Sequence, residues 1–377
     1  MLAAALPGLA AGALAYCVMV LLAVRSYLRQ PRPELSRPVP ISVLRPLAGA
    51  DEGLEENLRC YFRQDYSEFE ILAAVRTADD PARAVFERVR AEFPHIPAQL
   101  IVTGEPPYPN AKVFSLALML AAARHDLIVM ADSDTRVGPG MLRGLAAEFE
   151  DPALGVATCP YRAVPGPSFW SRLEALGMNT DFLAGLLAAR LIEGVRFAVG
   201  PTIAARRQAL EAIGGMEQLR EYLAEDFVLG RRVADSGWRV ILSRNLIEHH
   251  IGSHTPRENF RHRLRWMRST RRSRRWGYLG QIFTYPLPLA LLVATFCPRA
   301  WPLAVATALA RAAAAWAVGR GILRDPLLAR FWYLLPLEDL LSFLFWIAGF
   351  FGNTITWRGR RYYLDRDGRF RPIVQGR

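Results

Sequence analysis

An uncharged apolar segment near the start of the chain constrains the fold more than any other feature. Residues 2–24 contain no charged side chain and are long enough to cross a bilayer as a helix. No positively charged region precedes them and no small-residue cleavage site clearly follows, so the sequence favours a retained anchor over a removed signal peptide. The first arginine is Arg25, and the positive-inside rule then predicts that the rest of the chain lies mainly in the cytoplasm.

Three further apolar stretches lie near the carboxyl terminus, at about 281–297, 300–318 and 332–352. The first is short and rich in proline, and the second carries Arg311, so we expect one of these two to be re-entrant or interfacial. Four full spans would place the arginine-rich tail outside, against the positive-inside rule. We therefore expect a multi-pass protein of the inner or cell membrane.

The net charge of +12 is concentrated in one run, 261–276, which directly precedes an apolar segment. Arginines in this position favour the anionic cytoplasmic leaflet by about 1 kcal/mol each. We therefore expect contact with anionic lipid through 261–276, and no nucleic-acid partner. The four cysteines are scattered without a CxxC pair, which argues against a zinc site and a disulfide framework.

The sequence predicts five regions: an anchor (1–29), a proline-rich linker (30–40), an α/β domain (41–276), transmembrane or re-entrant segments (277–356) and a basic tail (357–377). In the α/β domain, short apolar runs alternate with helical spacing, which is typical of a mostly parallel sheet. The predicted strands are 41–45, 70–75, 99–103, 127–131, 155–159 and a bent one at 197–205. The predicted helices are 52–63, 79–93 and 112–124.

Two aspartates follow the predicted strand 127–131. In open α/β sheets, ligands collect beyond the carboxyl ends of the strands, where Asp132 and Asp134 lie. Residues i and i+2 of an extended segment share a face, so both carboxylates can converge on one Mg²⁺ or Mn²⁺. The alternative is a turn that closes the strand, with Gly138 and Pro139 completing the loop.

Other carboxylates add to this pattern. Asp80 precedes Pro81 and has the pattern of a helix N-cap, but it also lies beyond a strand end, where it could accept from a nucleotide. Glu225 and Asp226 open an amphipathic helix, whose positive end favours carboxylates. A carboxylate there could also act as a general base. Together these residues outline a site with a metal, a nucleotide and a base.

The chain resembles the membrane-bound family 2/21 glycosyltransferases, above all ceramide glucosyltransferase and the bacterial hopanoid-associated glycosyltransferases. The resemblance covers about residues 41–276, nearly the whole α/β domain. It is carried by an ordered set of segments: SVLRPLAG (42–49), DDP (79–81), PNAKVFSL (109–116), DSDTRV (132–137), YLAEDF (222–227), GWRV (237–240) and HRLRW (262–266).

This resemblance implies a GT-A fold, with a Rossmann-like, mostly parallel sheet flanked by transmembrane helices. It also implies inverting transfer of a hexose, glucose or N-acetylglucosamine, from a UDP-sugar to the hydroxyl of a membrane lipid. Matched by position, Asp80 would contact the uridine, Asp132 the donor and its metal, and Asp226 would be the general base. The remaining residues implied in substrate binding are Lys112, Glu225, His262, Arg265 and Trp266.

The chain departs from the family pattern at two positions. His262 stands where the last motif has Gln or Arg, and Asp134 stands where the eukaryotic ceramide enzymes tend to have glycine. The second departure favours a metal site made by Asp132 and Asp134 together. The sequence leaves the choice between ceramide and hopanoid open.

Two other functions remain open. A processive polysaccharide synthase shares the aspartate and RW motifs, but the short C-terminal segments leave little room for a polymer channel. A non-catalytic basic membrane-binding protein would tolerate replacement of Asp80, Asp132 and Asp226, and its binding would fall steeply with salt.

Overall fold

The computed structural model describes residues 2–357 and 360–373. It contains a central seven-stranded sheet and two three-stranded sheets. The strands are β1 Ile41–Pro46, β2 Phe69–Val75, β3 Ala98–Val102, β4 Leu127–Ala131, β5 Thr135–Arg136, β6 Leu154–Thr158, β7 Tyr161–Pro165, β8 Thr202–Arg206, β9 Arg239–Leu242, β10 Ile247–Ile251, β11 Thr354–Trp357, β12 Arg360–Leu364 and β13 Phe370–Pro372.

Helices cover both faces of the central sheet and form the apolar part of the molecule. They are α1 Leu2–Leu28, α2 Leu54–Phe62, α3 Pro81–Glu92, α4 Ala111–Ala122, α5 Met141–Glu148, α6 Phe169–Gly177, α7 Leu183–Glu193, α8 Arg207–Ala212, α9 Glu225–Asp235, α10 Pro256–Ser273, α11 Arg275–Gly280, α12 Pro286–Phe296, α13 Trp301–Trp316, α14 Pro326–Phe331 and α15 Leu335–Gly349. A π-helical turn, Met178–Phe182, joins α6 to α7.

The central sheet has the order β3-β2-β1-β4-β8-β6-β9 and is mostly parallel. Only β8 runs antiparallel to its neighbours, β4 and β6. The predicted GT-A-type α/β class is thereby confirmed. The apolar runs are continuous because both faces are covered: on β4, Val129 packs into one core, and Ile128 and Met130 pack into the other.

The strand predicted at 197–205 begins later than expected. β8 starts at Thr202, after Gly200 and Pro201. Pro201 has no N–H to donate to a ladder, but its carbonyl accepts from Asp132 N at 3.0 Å. The bend therefore ties the start of β8 to the end of β4.

Within residues 2–357 and 360–373, four helical segments are long and apolar enough to cross a membrane: Ala5–Leu28, Phe169–Glu193, Pro298–Ile322 and Pro326–Gly349. A fifth is the pair Arg275–Thr284 and Pro286–Phe296, which is bent by 61° at a break where proline follows. These segments make the chain a membrane protein. Phe169–Glu193 was not predicted, because its charged residues interrupt the apolar run.

Helices α12 and α13 both pack along α1. Near the amino end of α1, Leu6 and Ala10 form one cluster with Val293 of α12 and Ala304 of α13. Near the other end of α1, Val24 belongs to a cluster that includes the carboxyl-terminal part of α13. Our expectation that one of the segments 281–297 and 300–318 is re-entrant or interfacial stays a prediction, since the bent pair that contains α12 fits either a broken span or a re-entrant loop.

The segment Pro326–Gly349 stays beside the α/β domain instead. Just before it, Arg162 of β7 donates to the Leu323 carbonyl at 3.4 Å. Just after α15, Arg268 of α10 donates to the Phe351 carbonyl at 3.0 Å. Both ends of the segment are thus held by the same domain.

Much of the basic run 261–276 contacts protein. Arg268, Arg271 and Arg272 bind the backbone or side chains of residues 350–354, where the carboxyl end of α15 attracts cations. Arg263 pairs with buried Glu338 at 2.7 Å. Contact with anionic lipid remains a prediction for exposed arginines such as Arg261.

The basic tail forms a small sheet that docks on the α/β domain. Phe370 N donates to the Glu221 carbonyl at 2.8 Å, and Arg369 pairs with the Glu221 carboxylate at 3.3 Å. Leu223 packs among the buried side chains of this sheet. Residues 358–359 and 374–377 of the predicted tail lie outside the described residues.

Candidate active site

A clamped turn places Asp132 and Asp134 at the carboxyl end of β4. Thr135 N and Oγ1 both donate to the Asp132 carbonyl, at 3.3 and 2.7 Å. Buried Arg45 donates to Thr135 Oγ1 at 2.8 Å, and Asn57 Nδ2 donates to the Ser133 carbonyl at 3.0 Å. The expected extended geometry is therefore wrong for this stretch. The turn brings the two carboxylates together, and burial together with Asp134 raises the pKa of Asp132 against the effect of Lys112.

Lys112 bridges two acidic motifs that are far apart in sequence. Asn110 caps α4 by accepting from Val113 N at 3.1 Å, which fixes the first turn of the helix. Lys112 Nζ lies 2.6 Å from Asp132 Oδ1 and 3.1 Å from Glu225 Oε1. Burial alone would lower the pKa of Lys112, but the two carboxylates outweigh it and raise that pKa. The ammonium group therefore stays charged within the site.

Asp226 lies at the start of α9, where burial and neighbouring charges give its carboxylate a pKa suited to a general base. Burial, and then the neighbouring Glu225 carboxylate, raises its pKa to about 7, against the opposing charge of Lys112. A base with a pKa near neutral pH is well matched to accept a proton from a hydroxyl. A Cβ atom on Gly200 would lie 3.1 Å from Asp226 Oδ2, so glycine keeps the space beside the carboxylate free.

The loop before Asp226 is held from two sides. Asn110 Nδ2 donates to the Tyr222 carbonyl at 2.8 Å, which links this loop to α4. The C-terminal sheet holds Glu221 and Leu223 from the other side. The position of the carboxylate therefore depends on two distant parts of the chain.

Asp80 caps α3 and also faces the site. Its Oδ1 accepts from Ala82 N at 2.9 Å, as an N-cap does, and from Gly49 N at 3.0 Å. The second bond ties the loop after β1 to the loop after β2. The N-cap interpretation and the position beyond a strand end are thus both correct for this residue.

His262 is held by a carboxylate of α6. Its Nδ1 lies 2.5 Å from Glu174 Oε1, and Glu174 also accepts from Asn259 Nδ2 at 2.7 Å. Burial lowers the pKa of His262, although Glu174 opposes this. The ligand atoms of Glu174, His254 and His262 lie within 4.8 Å of one another, but hydrogen bonds already satisfy the Glu174 carboxylate.

Trp266 extends this contact towards the membrane-facing helices. Its ring lies 5.2 Å from the ring of His262 and 5.9 Å from that of Phe182, which lies between α6 and α7. Arg265, the preceding residue, lines the same cavity. The RW motif therefore lies where α10 meets the α6–α7 segment.

All of the site residues predicted from the sequence line one cavity of ≈ 1830 Å³. They are Asp80, Lys112, Asp132, Asp134, Glu225, Asp226, His262, Arg265 and Trp266. The cavity continues between apolar helices, where it is lined by Gly12 and Met19 of α1, Ile192 of α7 and Phe283. It therefore joins a cluster of charged groups to an apolar channel.

The donor atoms at the DSD turn suit a hard divalent cation. Among the described residues, Asp134 Oδ1 is buried and has no hydrogen-bond partner. A buried carboxylate oxygen without a partner is costly unless a cation compensates it. Carboxylate oxygens are the ligands that Mg²⁺ and Mn²⁺ prefer, so the residues fit such an ion.

Sequence reasoning missed three contributors to the site. Arg45 lies within a quoted motif, but its role depends on a contact with Thr135 that no local pattern indicates. His249 contacts Asp134 through the pairing of β10 with β5. Gly200 was seen only as a bend, and its closeness to Asp226 requires the fold.

Comparison with known proteins gives a consistent result. A family model described as glycosyl transferase family 21 matches residues 5–370. Ceramide glucosyltransferase 1 of Caenorhabditis elegans is 27% identical over 230 residues, which cover 60% of this chain and 49% of that protein. Ceramide glucosyltransferase of Komagataella phaffii is 34% identical over 106 residues, covering 27% of this chain and 21% of that protein. The chain thus spans about half the length, or less, of these curated relatives.

A solved structure shares the fold. The mannosyltransferase PcManGT from Pyrobaculum calidifontis, in complex with GDP-Man and Mn²⁺, superposes with a TM-score of 0.56. The match covers 91% of this chain and 98% of that chain at 18% identity. At this identity the likeness concerns the fold alone.

Proposed function

Because the chain belongs to glycosyl transferase family 21, we propose that it transfers a hexose from a UDP-sugar to the hydroxyl of a membrane lipid, with inversion. The donor sugar is glucose or N-acetylglucosamine, and the acceptor is ceramide or a hopanoid. The enzyme acts at the cytoplasmic face of the cell membrane. The two curated relatives described above are ceramide glucosyltransferases, which supports a lipid acceptor.

The continuity of the cavity carries this proposal. Its polar end holds Asp132 and Asp226, and its apolar end reaches Gly12 of α1. Gly12 is fifteen residues before Tyr27, whose hydroxyl donates to the Ser243 carbonyl of the α/β domain. Fifteen helical residues correspond to about 22 Å, so a lipid tail could extend deep beside α1 while its hydroxyl stays at the carboxylates.

The donor would bind at the carboxyl edge of β1, β2 and β4. Asp80 would accept from the imide N–H of uracil with Oδ2, since Oδ1 already serves two amides. Lys112 and Arg265 would face the diphosphate. Asp132 and Asp134 would hold a divalent cation, which supplies charge stabilisation to the departing diphosphate.

Asp226 would take the proton of the acceptor hydroxyl. The acceptor oxygen forms a bond to the anomeric carbon on the face opposite the diphosphate. The bond from that carbon to the phosphate oxygen breaks, and its electron pair leaves with UDP. One displacement of this kind inverts the anomeric centre, through a transition state like that of glycoside hydrolysis. The pKa of about 7 supports Asp226 in this role.

The test uses membranes that contain the full-length protein. They are supplied with a panel of UDP-sugars, and the lipids are analysed by mass spectrometry. We expect one hexosylated lipid class, and a loss of product of at least about 100-fold in Asp226→Asn. Asp235→Asn is the matched control, since Asp235 lies exposed at the other end of the same helix.

Three outcomes would contradict the proposal or one of its assignments. A long polysaccharide as product would indicate a processive synthase instead. Full turnover of a folded Asp226→Asn protein would exclude this aspartate as the base. Unchanged behaviour after replacing Asp80, Asp132 and Asp226 together would indicate a non-catalytic membrane-binding protein.

A further inference from the structure

Among the residues that the structure describes, a hydrogen bond holds one of the two carboxylate oxygens of Asp134, the second aspartate of the DSD turn. His249 Nε2 lies 3.1 Å from Asp134 Oδ2. The other oxygen, Oδ1, is buried and lacks a hydrogen-bond partner within residues 2–357 and 360–373. The carboxylate is therefore oriented on one side and open on the other.

Strand register fixes His249 at this place. In the small sheet, β10 pairs antiparallel with β5, so His249 lies opposite Thr135. His250 N also donates to the Asp134 carbonyl at 2.7 Å, which anchors the turn to the same strand. Successive side chains of a strand point to opposite faces, and His250 contacts Glu248 at 2.9 Å instead.

The backbone of the turn has little freedom of its own. Arg45 and Asn57 hold Ser133 and Thr135 on either side of Asp134, as described above. The held backbone still allows the Asp134 side chain to rotate. The hydrogen bond from His249 restricts this rotation, and the His249 ring is itself oriented by edge-on contact with Tyr161 at 5.3 Å.

We propose that His249 is a positioning residue that orients Asp134 so that Oδ1 faces the divalent cation. The proposal rests on the proposed function, since it requires a cation at the DSD turn. Groups that hydrogen-bond to a ligating carboxylate set its direction, and losing one typically weakens metal binding about 10- to 100-fold. His249 is 9% exposed, and its Nδ1 is also buried without a partner among the described residues, so the ring serves this buried site rather than the surface.

Two amide variants separate this role from general packing. In His249→Gln, the amide nitrogen reaches about as far as Nε2 and can still donate to Asp134. In His249→Asn, the amide nitrogen is too short to reach it. His250→Gln is the matched control, because it changes the neighbouring histidine on the opposite face of β10.

The full-length protein in detergent micelles is titrated with Mn²⁺ in the presence of UDP, and free Mn²⁺ is measured by electron paramagnetic resonance. We expect about 10- to 100-fold weaker Mn²⁺ binding in His249→Asn, a smaller loss in His249→Gln and no change in His250→Gln. Thermal unfolding of each variant is measured in parallel, to show that the fold is retained.

Wild-type affinity in His249→Asn would overturn the inference and leave the cation site intact. Equal losses in the Asn and Gln variants would also overturn it, because the donated hydrogen bond would not be the cause. Absence of Mn²⁺ binding in the wild-type protein would overturn it together with the proposed cation. If glycolipid still formed without a divalent cation, the proposed transfer reaction would hold and the proposed cation site would not.

Discussion

The ammonium group of Lys112 lies 2.6 Å from a carboxylate oxygen of Asp132, and it also lowers the pKa of Asp226. One ammonium group thus acts on a carboxylate that we propose to bind the donor and on the proposed base. Because the pKa of Asp226 is about 7, we expect activity to fall as the pH decreases below about 7, where the carboxylate becomes protonated.

Replacing Lys112 should shift the acid limb of the pH–activity profile, which is the fall in activity at low pH. In Lys112→Met the opposing positive charge is absent, so the pKa of Asp226 rises and the limb of kcat/KM moves to higher pH by about one to two units. Lys112→Arg keeps the charge and should keep the limb near its original position. The measurement is the pH dependence of kcat/KM. An acid limb at the same pH in Lys112→Met and in the wild type would refute the effect of the Lys112 charge on the pKa of Asp226.

Gly200 should resist even the smallest side chain. In Gly200→Ala the new Cβ would lie 3.1 Å from Asp226 Oδ2, so the carboxylate must shift by a few tenths of an ångström. We expect kcat to fall roughly tenfold, since small displacements of a reacting group are costly. Gly138→Ala is the control, because a Cβ there meets nothing within 4 Å. Equal rates in the two variants would show that the base tolerates displacement.

The C-terminal sheet should support turnover without touching the reacting atoms. Phe370 is 1% exposed and packs on Tyr362 and on Leu223, which lies in the loop before Asp226. Phe370→Ala should lower the free energy of unfolding by about 3–5 kcal/mol, because packing is lost. The loop should then be held less firmly, so kcat should fall. Arg366→Ala, in an exposed turn of the same sheet, should leave kcat unchanged. Steady-state kinetics compare the two, and an unaltered kcat in Phe370→Ala argues against this support.

A buried ion cluster should stabilise the helices near the cavity. Arg311 of α13 lies 2.6 Å from Asp339 of α15 and 2.6 Å from Asp181 in the π-helical turn. Arg311→Leu leaves these carboxylates without their cation and should lower the free energy of unfolding by about 3–5 kcal/mol. Exposed Arg299→Leu should change it by less than about 0.5 kcal/mol. Thermal unfolding in detergent measures both, and similar midpoints would contradict the prediction.

Local patterns predicted six of the seven strands of the central sheet, and the candidate site residues that follow them, but not β9. β4 and its DSD turn are contiguous, and the cap at Asp80 spans two residues, so short-range rules suffice. His249 and Arg45 were not predicted because their contacts join residues 115 and 90 positions apart. Their partners follow from strand register and helix packing, which periodicity in one segment does not specify.

The membrane segments were harder to assign. Hydropathy reports the length and composition of a segment, but not whether the segment lies in the bilayer or packs on the folded domain. Phe169–Glu193 and Pro326–Gly349 both pass that criterion. The first begins four residues after β7 and ends nine residues before β8, so both of its ends belong to the α/β domain. The second is held at both ends by Arg162 and Arg268 of that domain.

The docked C-terminal sheet fixes the parity of the membrane crossings. Phe370 is hydrogen-bonded to Glu221, so the tail and the α/β domain lie on the same side of the bilayer. Any crossings between Arg275 and Asn353 must therefore be even in number, and we propose that the two segments packed on α1, Arg275–Phe296 and Pro298–Ile322, supply one outward and one return passage. In this proposal α1 is the third crossing, so Leu6 and Phe370 would lie on opposite faces of the membrane, whereas a count of four apolar helices would place them on the same face.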